Sequence, residues 1–204
     1  MLGARRVERP LALLLAAVGL AAVAATAAAE DGYRLWLRYA ELPEETGTLA
    51  AEHFRFIERP AQSSPTLDAA LDELELGLGS LLGRPIEQVE FEPDGNDLAD
   101  GSVVLGTPDS LGERGLRIGV EADSADAYHV ASRRNGRGAV IVIAGNSEVA
   151  QLYGVFALLR YLASGGDPDR IDLESSPRID HRLLNHWDNL DRSVERGYAG
   201  LSLW

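Results

Sequence analysis

The chain has 204 residues with 32 acidic and 19 basic side chains, a net charge of −13, which argues against nucleic acid and anionic membrane surfaces as partners. It contains no cysteine and no lysine, every basic residue being arginine. Disulfides, thiolate nucleophiles, thiolate metal sites and Schiff-base chemistry are therefore excluded for these residues.

Arg5, Arg6 and Arg9 precede an uncharged Leu/Ala-rich run from Leu11 to Ala29, which closes on Ala27, Ala28 and Ala29 before Glu30 and Asp31. A basic stretch, an apolar stretch and small residues at the exit form a secretory signal peptide pattern. Residues 1–29 are thus expected to be a cleaved leader and the protein to be secreted or periplasmic, with no membrane attachment afterwards. The competing reading is an uncleaved anchor, because the run approaches the ~20 residues that cross a bilayer. The leader holds three arginines and one glutamate, a net +2, so its removal takes the charge from −13 to −15. An acidic polysaccharide would be repelled at long range, and binding one calls for a local arginine cluster. The roughly 175 residues left suffice for one domain.

Tyr33, Leu35, Leu37 and Tyr39 alternate with Arg34, Trp36 and Arg38, the period of a half-buried strand. From Glu41 to Gln62 no period is sustained, and a short strand at His53 to Phe56 is the reading there. Ser64 and Pro65 then supply a cap and a first helical residue, and Leu67, Leu71, Leu74, Leu78 and Leu81 trace an amphipathic helix that stops at Gly83. Its acidic residues Asp68, Asp72, Glu73 and Glu75 read as a solvated face rather than a catalytic pair.

Strands are expected at Ile86–Phe91 and Ser102–Gly106, parted by the turn chemistry of Pro93, Asp94, Gly95 and Asn96. Ala127–Ser132 and Ala139–Ile143 flank Asn135-Gly136 as a hairpin, with His129 a packed residue. Asn146 is expected to cap a second helix whose stripe is Val149, Leu152, Tyr153, Phe156, Leu159 and Leu162, ending at Gly165 and Gly166. Gly154 inside it suggests a close helix–sheet contact. Together these elements predict an α/β fold, a two-layer mixed-sheet sandwich with two helices on one face. It spans residues 30–166. A polar stretch, residues 167–180 with Asp167, Pro168, Asp169, Ser175, Ser176 and Pro177, reads as a linker.

Beyond it, Arg182-Leu-Leu-Asn-His-Trp-Asp-Asn189 joins an apolar pair to a dense polar and aromatic cluster, suggesting a binding site at a strand end. His181 and His186 lack the helical spacing of a zinc motif, so no metal is expected.

Leu184-Asn-His-Trp-Asp-Asn-Leu-Asp191, Val194-Glu-Arg-Gly-Tyr-Ala-Gly200 and Ser202-Leu-Trp204 resemble the opening of the catalytic barrel of family 67 alpha-glucuronidases. Asp31-Gly-Tyr-Arg-Leu-Trp-Leu-Arg-Tyr39, Ser64-Pro-Thr-Leu67, Ile143-Ala-Gly-Asn146 and Leu152-Tyr-Gly-Val-Phe156 resemble that family's N-terminal module. The resemblance implies that residues 181–204 begin a (β/α)8 barrel and that the protein removes (4-O-methyl-)glucuronic acid from glucuronoxylan-derived oligosaccharides with inversion. It implies no cofactor and allows a homodimer of the full-length enzyme. Trp187 matches a tryptophan lining the glucuronate pocket, with Asp188 and Asn189 beside it as further substrate-binding candidates. No catalytic residue is assigned, because the family's acid and base lie on later barrel strands. The expectation is an inactive N-terminal fragment. The alternatives are a stand-alone exported carbohydrate-binding or interaction module, or a related sandwich preceding a beta-hexosaminidase-type barrel.

Overall fold

The computed structural model describes residues 39–90, 98–121, 123–135, 138–179 and 181–183. Among them six strands, β1 (Phe56–Glu58), β2 (Glu87–Val89), β3 (Ser102–Gly106), β4 (Tyr128–Asn135), β5 (Gly138–Gly145) and β6 (Asp172–Ser175), form one sheet in the order β2-β1-β3-β5-β4-β6. β2, β1, β3 and β5 run parallel, and β4 is antiparallel to both β5 and β6. The helices are α1 (Glu44–His53), α2 (Pro65–Leu81), α3 (Pro108–Glu113) and α4 (Glu148–Ala163), with a 3-10 turn at Pro168–Arg170. The leader and the strand expected at Tyr33–Tyr39 lie outside the described residues, apart from Tyr39 itself.

α2 forms where its sequence places it. Ser64 Oγ accepts from the Leu67 amide at 3.2 Å, Pro65 opens the first turn, and all five stripe leucines are buried. Its acidic face is less idle than its spacing suggests: Glu73 accepts from the Tyr39 hydroxyl, Asp68 from Ser63 and Glu75 from Gln88. Burial, and then the bond to Glu73, push the Tyr39 hydroxyl pKa above its ordinary value.

α2 and α4 pack against each other on one face of the sheet, over Val103, Leu105, Val130, Ile141 and Ile143. Two glycines allow the approach. A β-carbon at Gly77 would lie 2.6 Å from Leu159 Cδ1, and one at Gly154 would lie 2.6 Å from Ile143 Cγ2.

The opposite face is not bare, as two layers alone would leave it. Val104, Val140, Val142 and Ala144 pack there against Leu111 of α3, Leu116 and Ile118. The cause is the unbroken apolar runs of β3 and β5, which present apolar side chains to both faces, as parallel central strands do.

Three local expectations are corrected. The cap of α4 is Ser147, whose Oγ accepts from the Ala150 amide at 3.1 Å, while Asn146 donates to the Ser124 carbonyl instead. The buried stripe of α4 is Ala150, Gln151, Gly154, Val155, Leu158, Leu159 and Leu162, whereas Val149 and Tyr153 are exposed. The helix is apolar nearly all round, so periodicity could not choose a face; the small residues Ala150 and Gly154 mark the face that meets the sheet closely. Third, α1 occupies a stretch read as irregular, and His53 ends that helix rather than starting a strand.

The stretch 167–180, expected to be a linker, contains the 3-10 turn Pro168–Arg170 and β6. Ile171 is 1% exposed in the main core, and β6 is the edge strand beside β4, with Tyr128 opposite Ser175 and Ala131 opposite Asp172. Polar composition misled here because an edge strand needs only its inward side chains to be apolar. The compact unit runs Tyr39–Leu184. Both sheet borders are short: β2 has three residues, and the four of β6 include Asp172, Glu174 and Ser175, all exposed.

Candidate functional site

Chain order reverses direction between β1 and β3. From β1 the path moves outward to β2 through α2 on one face, and from β3 it moves the other way toward β5 past α3 on the opposite face. Such a switch point opens a crevice at the carboxyl ends of the strands, where open α/β sheets bind ligands. β1 and β3 pair only as far as Ile57 and Val103. Beyond that level a cleft of about 540 Å³ lies between Glu58–Gln62, the end of β3 and the first turn of α4, within the roughly 300–1,000 Å³ of small-molecule sites.

The cleft is built from opposed polar groups on an apolar wall of Leu67, Leu105 and Leu111. Glu58 is buried at the end of β1. Arg114 Nη2 donates to its Oε2 at 2.9 Å, and Nη1 sits 2.6 Å from Oε1. That second contact is an ion pair outside hydrogen-bond geometry, so Oε1 is enclosed with charge compensation alone. Across the cleft Glu148 accepts from Ser64 Oγ at 2.7 Å, joining the first turn of α4 to the cap of α2. Gln151 is 4% exposed, lines the cleft, and its side chain makes no hydrogen bond among the described residues. Ser64 and Leu67 were read in the sequence only as the cap and stripe of a helix, and Glu58, Arg114, Glu148 and Gln151 were not singled out; the usable signal was polar residues following apolar strand runs, visible only once the strand order is known.

A second concavity, about 270 Å³, lies on the outer face of α4. Arg182 stands over the Tyr153 ring, 5.7 Å from its centre, pairs with Asp126, and donates to the Ile179 carbonyl at 2.7 Å. Tyr153 and Phe156, stripe residues that do not enter the core, line it together with Pro177 and Arg182.

Two histidines fasten the chain just before Pro177, at Asp169 and Asp172. His53 spans the Leu49 carbonyl and Asp169 Oδ1 at 2.9 Å, and His129 spans the Gly119 carbonyl and Asp172 Oδ1 at 2.7 Å. The hydrogen bond from His129, and then its charge, hold the Asp172 carboxyl below its ordinary value of 3.8. A lowered folded-state value means the pairing stabilises fully above about pH 4 and loses its contribution as pH falls through the lowered value. Hydrogen exchange at the Ser132 amide, which donates to the Ile171 carbonyl, should therefore quicken on acidification beyond its intrinsic pH dependence. Asp172→Asn should remove that step; an unchanged acid profile in the variant would refute this role.

Trp187, Asp188 and Asn189 lie outside the described residues, as does His186. His181 is exposed. Among the described residues no group of three or more His, Asp or Glu side chains is placed to hold a metal ion.

Comparison with known proteins supplies what the geometry leaves open. Residues 35–158 match the model described as "Glycosyl hydrolase family 67 N-terminus", and residues 161–204 match "Glycosyl hydrolase family 67 middle domain". Relatives include the "Probable alpha-glucuronidase A" of Aspergillus terreus, 31% identical over 176 residues, 86% of this chain and 20% of that protein. The "Alpha-glucuronidase A" of Emericella nidulans is 31% identical over 201 residues, covering 96% and 22%. That of Aspergillus tubingensis is 28% identical over 204 residues, covering 100% and 22%. The α/β module and the β6 strand that joins its sheet thus match two successive segments of a glycosyl hydrolase family. The chain belongs to glycosyl hydrolase family 67. It spans about a fifth of the length of the curated relatives it matches. The join between the two family segments falls inside α4, so β6, from the second segment, completes the sheet of the first.

Proposed function

We propose that these residues are the N-terminal part of an exported alpha-glucuronidase that releases (4-O-methyl-)glucuronic acid from xylo-oligosaccharides with inversion. The observation that carries the reading is the unbroken succession of the two family 67 segments over residues 35–204. In this reading residues 181–204 open the (β/α)8 barrel, a scaffold of about 250 residues. Inversion requires one carboxylic acid to protonate the leaving oxygen and another carboxylate to activate water, with the pair roughly 6.5–9.5 Å apart. Both groups belong to later barrel strands, and Trp187, Asp188 and Asn189 bind the sugar acid. Export by the leader and a homodimer of the complete enzyme belong to the same proposal.

The test is hydrolysis of aldotriouronate. The 204 residues alone should release no glucuronic acid, while the full-length enzyme should. Trp187→Ala in the full-length enzyme should lower kcat/KM about 30-fold, the loss of ~2 kcal/mol of stacking and burial on the sugar ring. Turnover by the 204 residues, or an unaffected Trp187 variant, would refute the assignment.

A further inference from the structure

We infer that the cleft between β1, β3 and the first turn of α4 is a binding site for an uncharged, polyhydroxylated ring of the xylose type. Its position is the first reason, since the crevice sits at the switch point of the sheet, outside the carboxyl ends of parallel strands. The second is Gln151. A primary amide offers two donors and an acceptor; here the residue is only 4% exposed, its amide makes no hydrogen bond among the described residues, and it lines the wall of a cleft open to ligand. A ligand with vicinal hydroxyls, which donate and accept at once, satisfies both ends of that amide.

Charge decides against an acid. α2 and α4 both begin at the cleft, and helix N-termini attract anions. Those ends are already answered by carboxylates of the protein, Asp68 in the first turn of α2 and Glu148 in the first turn of α4. Glu58, Glu113 and Glu148 line the cleft against Arg59 and Arg114. Of these arginines, Arg114 is held by Glu58 and Arg59 donates to Gln88 at 2.8 Å. An added carboxylate would meet surplus negative charge, whereas hydroxyls can donate to these oxygens. The wall of Leu67, Leu105 and Leu111 suits the C–H face of a pyranose. Among the described residues no aromatic ring lines the cleft, so affinity rests on hydrogen bonds and is weak, with a Kd of about 1 mM.

The choice of xylose-type probes rests on the proposed function, but the binding itself is read without hydrolysis. Ligand-observed NMR and calorimetry on the 204-residue protein, with xylobiose, glucose and glucuronic acid, provide the test. Xylobiose should bind, and glucuronic acid should not. Gln151→Leu and Gln151→Met should each weaken xylobiose at least tenfold while keeping the parent melting temperature, because neither removes a hydrogen bond made by the free protein. No binding of xylobiose or glucose, a preference for glucuronic acid, equal affinity in the variants, or variants that melt lower because the amide had a partner would each overturn the inference. Glucose binding as tightly as xylobiose would overturn the xylose assignment. Absent binding with intact hydrolysis by the full-length enzyme would sink this site and leave the proposed activity standing.

Discussion

Replacing Arg114 by methionine should lower the free energy of unfolding by about 3–5 kcal/mol, the cost of leaving a buried carboxylate without its counter-charge. Glu58 is 7% exposed at the end of β1, its Oε2 bonded to Arg114 and its Oε1 compensated by the same guanidinium alone. The aliphatic part of methionine can replace the arginine stem, so the loss should come from charge rather than from packing. A double substitution, Glu58→Gln with Arg114→Met, should recover most of the loss, because an amide needs no counter-ion. Denaturant unfolding of the four proteins closes the cycle. A single variant within 1 kcal/mol of the parent would mean that solvent reaches Glu58 and that this pair does not organise the cleft.

Ending the chain at Gly166 should be more damaging still, and should abolish cooperative unfolding at room temperature. That boundary is close to the join between the two family segments and to the end of the module drawn from composition. It removes Ile171, which is 1% exposed, and losing a side chain of that size from a core costs about 2–5 kcal/mol. Also lost are the β4–β6 pairing, the Ser132 amide bond to Ile171, and the partners of His53 and His129. Against a total stability of about 5–15 kcal/mol for a domain, the combined loss leaves little margin. A chain ending at Leu183 should unfold cooperatively. Circular dichroism across a denaturant series separates the two, and equal midpoints would show that β6 is an ornament of the sheet.

Legibility followed locality. α2 was readable because its cap, its first-turn proline and its leucine stripe all lie within the helix, and the β4–β5 hairpin because its turn residues sit between its strands. α1 was not, since Thr46, Gly47 and Thr48 give it weak propensity and only Ala50 and His53 are buried. What holds it comes from afar: Arg84 donates to the Ala51 and Phe54 carbonyls at 3.1 and 2.8 Å, closing the C-terminal end of the helix. β6 was hidden for the same reason, its strand character residing in β4 and in two histidines more than forty residues upstream. The substrate-binding role proposed for the cluster around Trp187 rests on resemblance and not on geometry. The cleft could not be found at all, because Glu58, Arg114 and Gln151 become neighbours only through strand order.

The two outermost strands bear on how copies of this module can meet. An unpaired backbone edge invites another strand unless it is brief or charged. At one border Gln88 is engaged by Arg59 and Glu75 along just three residues, and at the other Asp172 and Glu174 face outward. Lateral recruitment of a neighbouring polypeptide would gain few main-chain bonds while bringing carboxylates together. Among the described residues the sheet is in this way guarded against edge-to-edge growth, which leaves side-chain surfaces such as the outer faces of its helices for self-association.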